Sequence, residues 1–217
     1  MAPKIPIILF ILCLAVAIGC KKKNTPKPAI DQIETHEFNP ALEITSTDTF
    51  VNPPGSDVFP IPSDSSASYL LDVNGDSVPD FNFTVKHWYQ WASASNPGAN
   101  YSYQMSISGL QNSEVAVTVV NPGFSKAKFY AFGESISSNQ TWKNSATLVL
   151  HAVNTGGNYA DFSGTKYIGL RIKKYTDYHY CWLKITKKPA KVRNKLLIES
   201  YGFNKSLGYD IATGQEE

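Results

Sequence analysis

Short apolar–polar alternations, broken by glycine and proline turns, constrain this chain more than any other feature. Phe81, Phe83 and Val85 alternate with Asn82, Thr84 and Lys86. Ile168, Leu170 and Ile172 alternate in the same way with Gly169, Arg171 and Lys173. A period of two belongs to a strand with one buried face, because successive side chains leave the backbone on opposite sides. Similar runs recur at 68–73, 101–108, 114–120, 127–132, 147–153, 180–186 and 196–203. Between them stand Asn96-Pro97-Gly98, Asn121-Pro122-Gly123, Thr155-Gly156-Gly157 and Ser163-Gly164, which carry turn chemistry. After the N-terminal segment there is no helical stripe. The pattern predicts an all-β fold, an antiparallel, jelly-roll-like β-sandwich over residues 43–217, with an edge strand at 43–51.

The N-terminus is different in kind. Lys4 precedes a mostly apolar run over residues 5–18, which ends at Gly19-Cys20 and is followed by Lys21, Lys22 and Lys23. Fourteen residues of helix span about 21 Å, short of the roughly 30 Å hydrocarbon core of a bilayer, so the run reads as a signal peptide. The expected division is a signal peptide at 1–19, a flexible basic and proline-containing tether at 20–42, and one β domain at 43–217. Ala17-Ile18-Gly19-Cys20 resembles the bacterial lipobox. That resemblance implies lipid on the sulfur of Cys20 and a protein anchored to a membrane outside the cytoplasm, the outer membrane being the expected one. Two or more acyl chains, at about 0.8 kcal/mol per buried methylene, hold such a protein stably.

Charge and cysteine content narrow the classes further. Twenty Lys and Arg face 18 Asp and Glu, a balance that gives no argument for nucleic acid. Cys13 leaves with the signal and Cys20 takes lipid, so Cys181 remains alone and no disulfide forms within the mature chain. Cys181 lies in the apolar run Tyr180-Cys181-Trp182-Leu183 and reads as a small buried hydrophobe. The basic residues from Lys173 to Lys195 read as a solvated strand face and loop.

One motif carries recognisable chemistry. Asp72, Asn74, Asp76 and Asp80 space side-chain oxygens along Asp72-Val73-Asn74-Gly75-Asp76-Ser77-Val78-Pro79-Asp80, and the carbonyl of Val78 falls at the position where calcium loops use the backbone. Calcium takes six to eight oxygens on a flexible frame, and three carboxylates brought together repel without a cation. The spacing therefore predicts one structural calcium. A metal-free hairpin loop held by Asx turns is the other arrangement it allows. Ser77 and Phe83 occupy the sixth and twelfth positions, where an EF-hand has Gly and Glu, so this is no EF-hand. The loop resembles instead the calcium loops of integrin-type FG-GAP repeats.

Three segments together resemble a group of exported Bacteroidetes-type β proteins of no established activity. They are the opening at 72–83, the strand pair Lys166-Tyr167-Ile168-Gly169-Leu170-Arg171 with Tyr178-His179-Tyr180-Cys181-Trp182-Leu183, and the closing Glu199-Ser200-Tyr201-Gly202-Phe203 through Gly214-Gln215. The resemblance implies location and fold, not mechanism.

Other functional classes find little in the chain. His36, His87, His151 and His179 are scattered without zinc spacing, and there is no G-x-S-x-G elbow. The reading that follows is a non-enzymatic, membrane-anchored module of the cell envelope, structural or interacting with an envelope protein. The alternative is a carbohydrate-binding lipoprotein that uses Trp88, Trp91 and Tyr101 as an aromatic platform for glycan, against a plain packing role for those rings. A hydrolase would need Glu114, Glu134 or Asp161 to converge in a groove.

Overall fold

The computed structural model describes residues 32–46, 50–51, 61–62, 65–91, 99–152, 157–188 and 195–216. The expected signal peptide at 1–19, Cys20 and the tether before residue 32 lie outside them. The strands in chain order are β1 (Ile33–Ile44), β2 (Phe50–Val51), β3 (Ile61–Pro62), β4 (Ser65–Leu71), β5 (Phe81–Trp91) and β6 (Ala99–Gly109). There follow β7 (Glu114–Asn121), β8 (Phe124–Ala127), β9 (Phe129–Tyr130), β10 (Ser135–Ile136), β11 (Thr141–Lys143) and β12 (Ser145–Ala152). The last are β13 (Gly157–Ala160), β14 (Gly164–Lys174), β15 (Asp177–Lys188), β16 (Lys195–Asn204) and β17 (Ile211–Ala212).

The protein is all-β. Its strands form one large mixed sheet nearly closed on itself in a barrel-like shape, which does not by itself confirm the finer expectation of a jelly-roll-like sandwich. Its path runs β1-β16-β15-β14-β7-β8-β12-β6-β5-β4, and the two ends, β1 and β4, touch. Almost every neighbouring pair is antiparallel; β8 and β12 pair in parallel through Thr147 and Lys126.

The fold also starts earlier than the expected boundary at residue 43. β1 pairs with β16 from Ile33 opposite Asn204 to Ile44 opposite Leu196. Its polar, proline-containing sequence reads as tether because it is an end strand. Pro40, which cannot donate to a ladder, falls where the register shifts between Glu37 and Leu42.

Burial explains the alternation. Phe81, Phe83, Val85, Met105, Ile107, Leu148, Ile168, Leu170, Leu183 and Ile185 project into one continuous core inside the curved sheet. At β15 the alternation fails, because Tyr180, Cys181, Trp182 and Leu183 are all buried. Cys181 and Leu183 belong to the inner core, whereas Tyr180 and Trp182 join Ile33, Ala116, Tyr130, Ile136 and Ile211 in a second cluster. That second cluster is an outer aromatic layer, closed by the C-terminal segment. Trp182 Nε1 donates to the carbonyl of Gln215 at 3.1 Å, and Thr213 Oγ1 donates to the carbonyl of Ala131 at 2.5 Å. Gly202 lies directly beneath Trp182; a Cβ there would come within 2.3 Å of the indole nitrogen. Tyr167, packed edge-on to Trp182, and the closing Gly214-Gln215 belong to the same layer.

Candidate functional site

The acidic loop joins β4 to β5. Its ends are fixed by the sheet: Leu71 pairs with Phe81, and Asp80 N donates to the carbonyl of Leu71 at 2.9 Å. The carbonyl of Asp80 accepts from Leu110 N at 2.7 Å, which ties the loop to the turn between β6 and β7. Asp80 therefore joins three parts of the sheet through its backbone alone.

Within the loop, oxygens meet amides. Asp72 accepts from Gly75 N at 2.8 Å and from Ser77 N at 2.7 Å, one bond to each carboxylate oxygen. Asn74 Oδ1 accepts from Asp76 N, and Asp76 Oδ1 from Val78 N, both at 2.9 Å. Asp80 Oδ2 accepts from Val73 N at 2.9 Å and Asn74 N at 3.4 Å, while Asn74 Nδ2 reaches Asp80 Oδ1 at 3.3 Å. These are Asx-turn patterns, in which short polar side chains replace a ladder. Two residues, Gly75 and Ser77, take positive φ to make the turn.

The electrostatics centre on Asp80, which is 5% exposed. Burial pushes its carboxyl up to about 6; the amides of Val73 and Asn74 pull the other way, and Asp72 and Asp76 add a further upward push. Among the described residues no group of three His, Cys, Asp or Glu side chains is gathered as a ready metal cluster. The carboxylates are turned onto the loop's own amides. The site nevertheless fits calcium in donor type, since it offers only oxygens, and a carboxylate has about four lone-pair sites, more than these bonds occupy.

Beside the loop lies a recess of about 390 Å³, with Asn74, Asp76 and Asp80 on one side and Lys173, Lys174 and His179 among the groups facing them. His179 Nδ1 lies 3.0 Å from the carbonyl of Asn204. Burial is the main cause that holds the His179 imidazole below its ordinary value, and Lys174 adds to it.

The other sequence candidates separate. Trp88 is half-buried with Lys86 Nζ 5.4 Å from its ring centre, while the side chains of Trp91 and Tyr101 lie outside the described residues. The three carboxylates that a hydrolase would need engage different partners: Glu114 binds Arg171, Asp161 binds Lys187, and Glu134 accepts from Ala131 N at 3.0 Å. Cys181 is fully buried, and burial pushes its thiol upward, so it packs rather than reacts. Within the basic stretch Lys184 pairs with Glu199 at 3.0 Å and Lys195 with Glu43 at 2.6 Å.

One contact has no sequence signature. Ser46 Oγ lies 2.7 Å from His87 Nδ1 inside the fold, with both residues buried and Ser65 Oγ 3.4 Å from the same nitrogen. The partners are 41 residues apart. Only His87, sitting at a core-facing position of an alternating strand, signals that a polar partner must be found for it. Among known proteins the chain matches no family model, no curated protein and no solved structure.

Proposed function

We propose that the chain is a membrane-anchored, non-enzymatic lipoprotein of the cell envelope, a structural or interaction module with one structural calcium. Asp72, Asn74, Asp76, Asp80 and the carbonyl of Val78 would hold the ion. The observation that supports this reading is the position of Asp80: nearly enclosed, it links β4, β5 and the β6–β7 turn while its carboxylate caps the loop. Chemistry placed there acts on the frame of the fold rather than on a substrate. A bound calcium supplies the positive charge that offsets the desolvation of Asp80 and its repulsion by Asp72 and Asp76.

Anchoring follows from Cys20, twelve residues ahead of the first described residue. Replacing Cys20 by Ser and fractionating cells tests it. The variant should appear unprocessed and be released from lipid-type anchoring; a variant that is processed and bound as firmly as the wild type contradicts the proposal.

A further inference from the structure

Another recess lies on the outer face of the sheet. It measures about 500 Å³ and is floored by β6 and β12 and walled by the β7–β8 hairpin. Pockets of about 300–1,000 Å³ are the size that small ligands occupy.

Strand register explains the floor. On β5 and β6 the inward residues are Phe81, Phe83, Val85, Met105 and Ile107, so Asn82, Thr84, Ser106 and Ser108 take the outer face. β12 extends the same rows: Ser145 stands opposite Ser108, and Thr147 opposite Ser106. Asn82–Ser108–Ser145 and Thr84–Ser106–Thr147 thus run side by side across three strands. Gln104 continues β6 in the next row, beside Lys86. From Gln104 to Ser108 the face extends about 14 Å at 3.4 Å per residue. The result is a grid of hydroxyls and amides, groups that both donate and accept. Asn82 Oδ1, next to Ser108, is sheltered and has no hydrogen-bond partner among the described residues.

The wall is of another character. Asn121-Pro122-Gly123-Phe124 turns the hairpin, with Gly123 at φ +94°. Val119, Pro122 and Phe124 present an apolar side to the recess, and Val119 is 50% exposed. Among the described lining residues the single charge is Lys143, and no carboxylate is present.

We propose that this groove binds a neutral, linear oligosaccharide, its hydroxyls on the Gln104–Ser106–Ser108 face and a ring face against Phe124 and Pro122. A sugar offers both halves of that chemistry, hydroxyls at its edges and a C–H face above and below. A phosphate ligand would call for more than one cation, a metal for carboxylates, and a lipid for a floor without hydroxyls. The inference does not depend on Cys20 or on calcium, and it places glycan at residues other than Trp91 and Tyr101.

The test uses the folded full chain and short oligomers of glucose (both α- and β-linked), xylose, mannose and N-acetylglucosamine, titrated by calorimetry or by chemical-shift changes. At about 10 mM ligand, even a dissociation constant near 1 mM gives almost full occupancy. At least one oligomer should bind, and Phe124→Ala and Gln104→Ala should each weaken it about tenfold or more while keeping the wild-type circular dichroism and unfolding midpoint. Ser106→Trp, which fills the floor, should abolish binding. Silence from the whole panel overturns the proposal. So does unchanged affinity in folded Phe124→Ala and Gln104→Ala, or preference for an acidic oligosaccharide or an extended peptide over every neutral sugar.

Discussion

The acidic loop finds its polar partners almost entirely within Asp72–Asp80, whereas the outer aromatic layer gathers its members from across the chain. In the loop, Asp72 caps amides three and five residues on, and Asp80 reaches back seven. In the aromatic layer, Trp182 meets Gln215 across 33 residues, Arg171 meets Glu114 across 57, and Thr213 meets Ala131 across 82. Arg171 there lies over Trp142 and Tyr178, with ring centres 4.6 and 3.7 Å away. The loop is a local device whose shape comes from Asx turns and a buried carboxylate. The layer is a second core, in which Tyr167, Tyr180, Trp182, Gly202 and Gly214-Gln215 pack the C-terminal segment onto the sheet.

If that contrast is right, damage to the layer is the more costly. Trp182→Ala should destabilise the protein by about 3–5 kcal/mol, the usual loss for a buried tryptophan, because it empties the space above Gly202 and removes the bond to Gln215. Chemical unfolding measures this. A loss below about 1 kcal/mol would mean that the C-terminal segment is not held by the layer. Asp80→Ala should cost less, about 1–3 kcal/mol, by leaving the sheltered Val73 amide without its acceptor. Asp80→Asn keeps an acceptor and should lose less than Asp80→Ala; equal losses would point away from the amide bonds.

The smallest effect concerns pH. His179 has a folded pKa below its unfolded value of about 6.5, so the unfolded chain takes up the proton first and the contribution of His179 to stability falls as pH drops below about 6.5. The difference in midpoint between wild type and His179→Gln should therefore move against the wild type between pH 7 and pH 5. A difference that stays flat across that window would show that His179 titrates as it does in the unfolded chain. Taking the difference matters, since Asp80, with its raised value, shifts stability the other way in a cation-free protein.

Much of this was readable before the structure. Period-two runs at 81–86 and 168–173 became β5 and β14, and the oxygen spacing of the acidic loop marked a real local structure, because both signals live in neighbouring residues. The layer was harder. Tyr180-Cys181-Trp182-Leu183 is a continuous apolar run, the mark of a strand buried on both faces, but nothing nearby says that residues 211–215 supply the second cover. β1 hid behind its charges and Pro40, and pairs such as Ser46 with His87 exist only once the sheet has closed. The outer groove was invisible for the same reason: Ser106, Ser108 and Thr147 look like ordinary solvent-facing positions until three strands set them in rows.

The proposed structural calcium is tested most directly by thermal unfolding of the wild type and Asp76→Ala, each in millimolar calcium and in chelator. Lone extracellular sites bind at about 10⁻⁴–10⁻³ M, so calcium at about 10 mM, roughly 10 to 100 times that constant, would add about 1.4–2.7 kcal/mol. The account predicts a clearly higher wild-type midpoint with calcium and little or no response in Asp76→Ala. A wild-type midpoint that is the same in both buffers would contradict it, and would leave Asp72–Asp80 as a hairpin loop held by its own Asx turns.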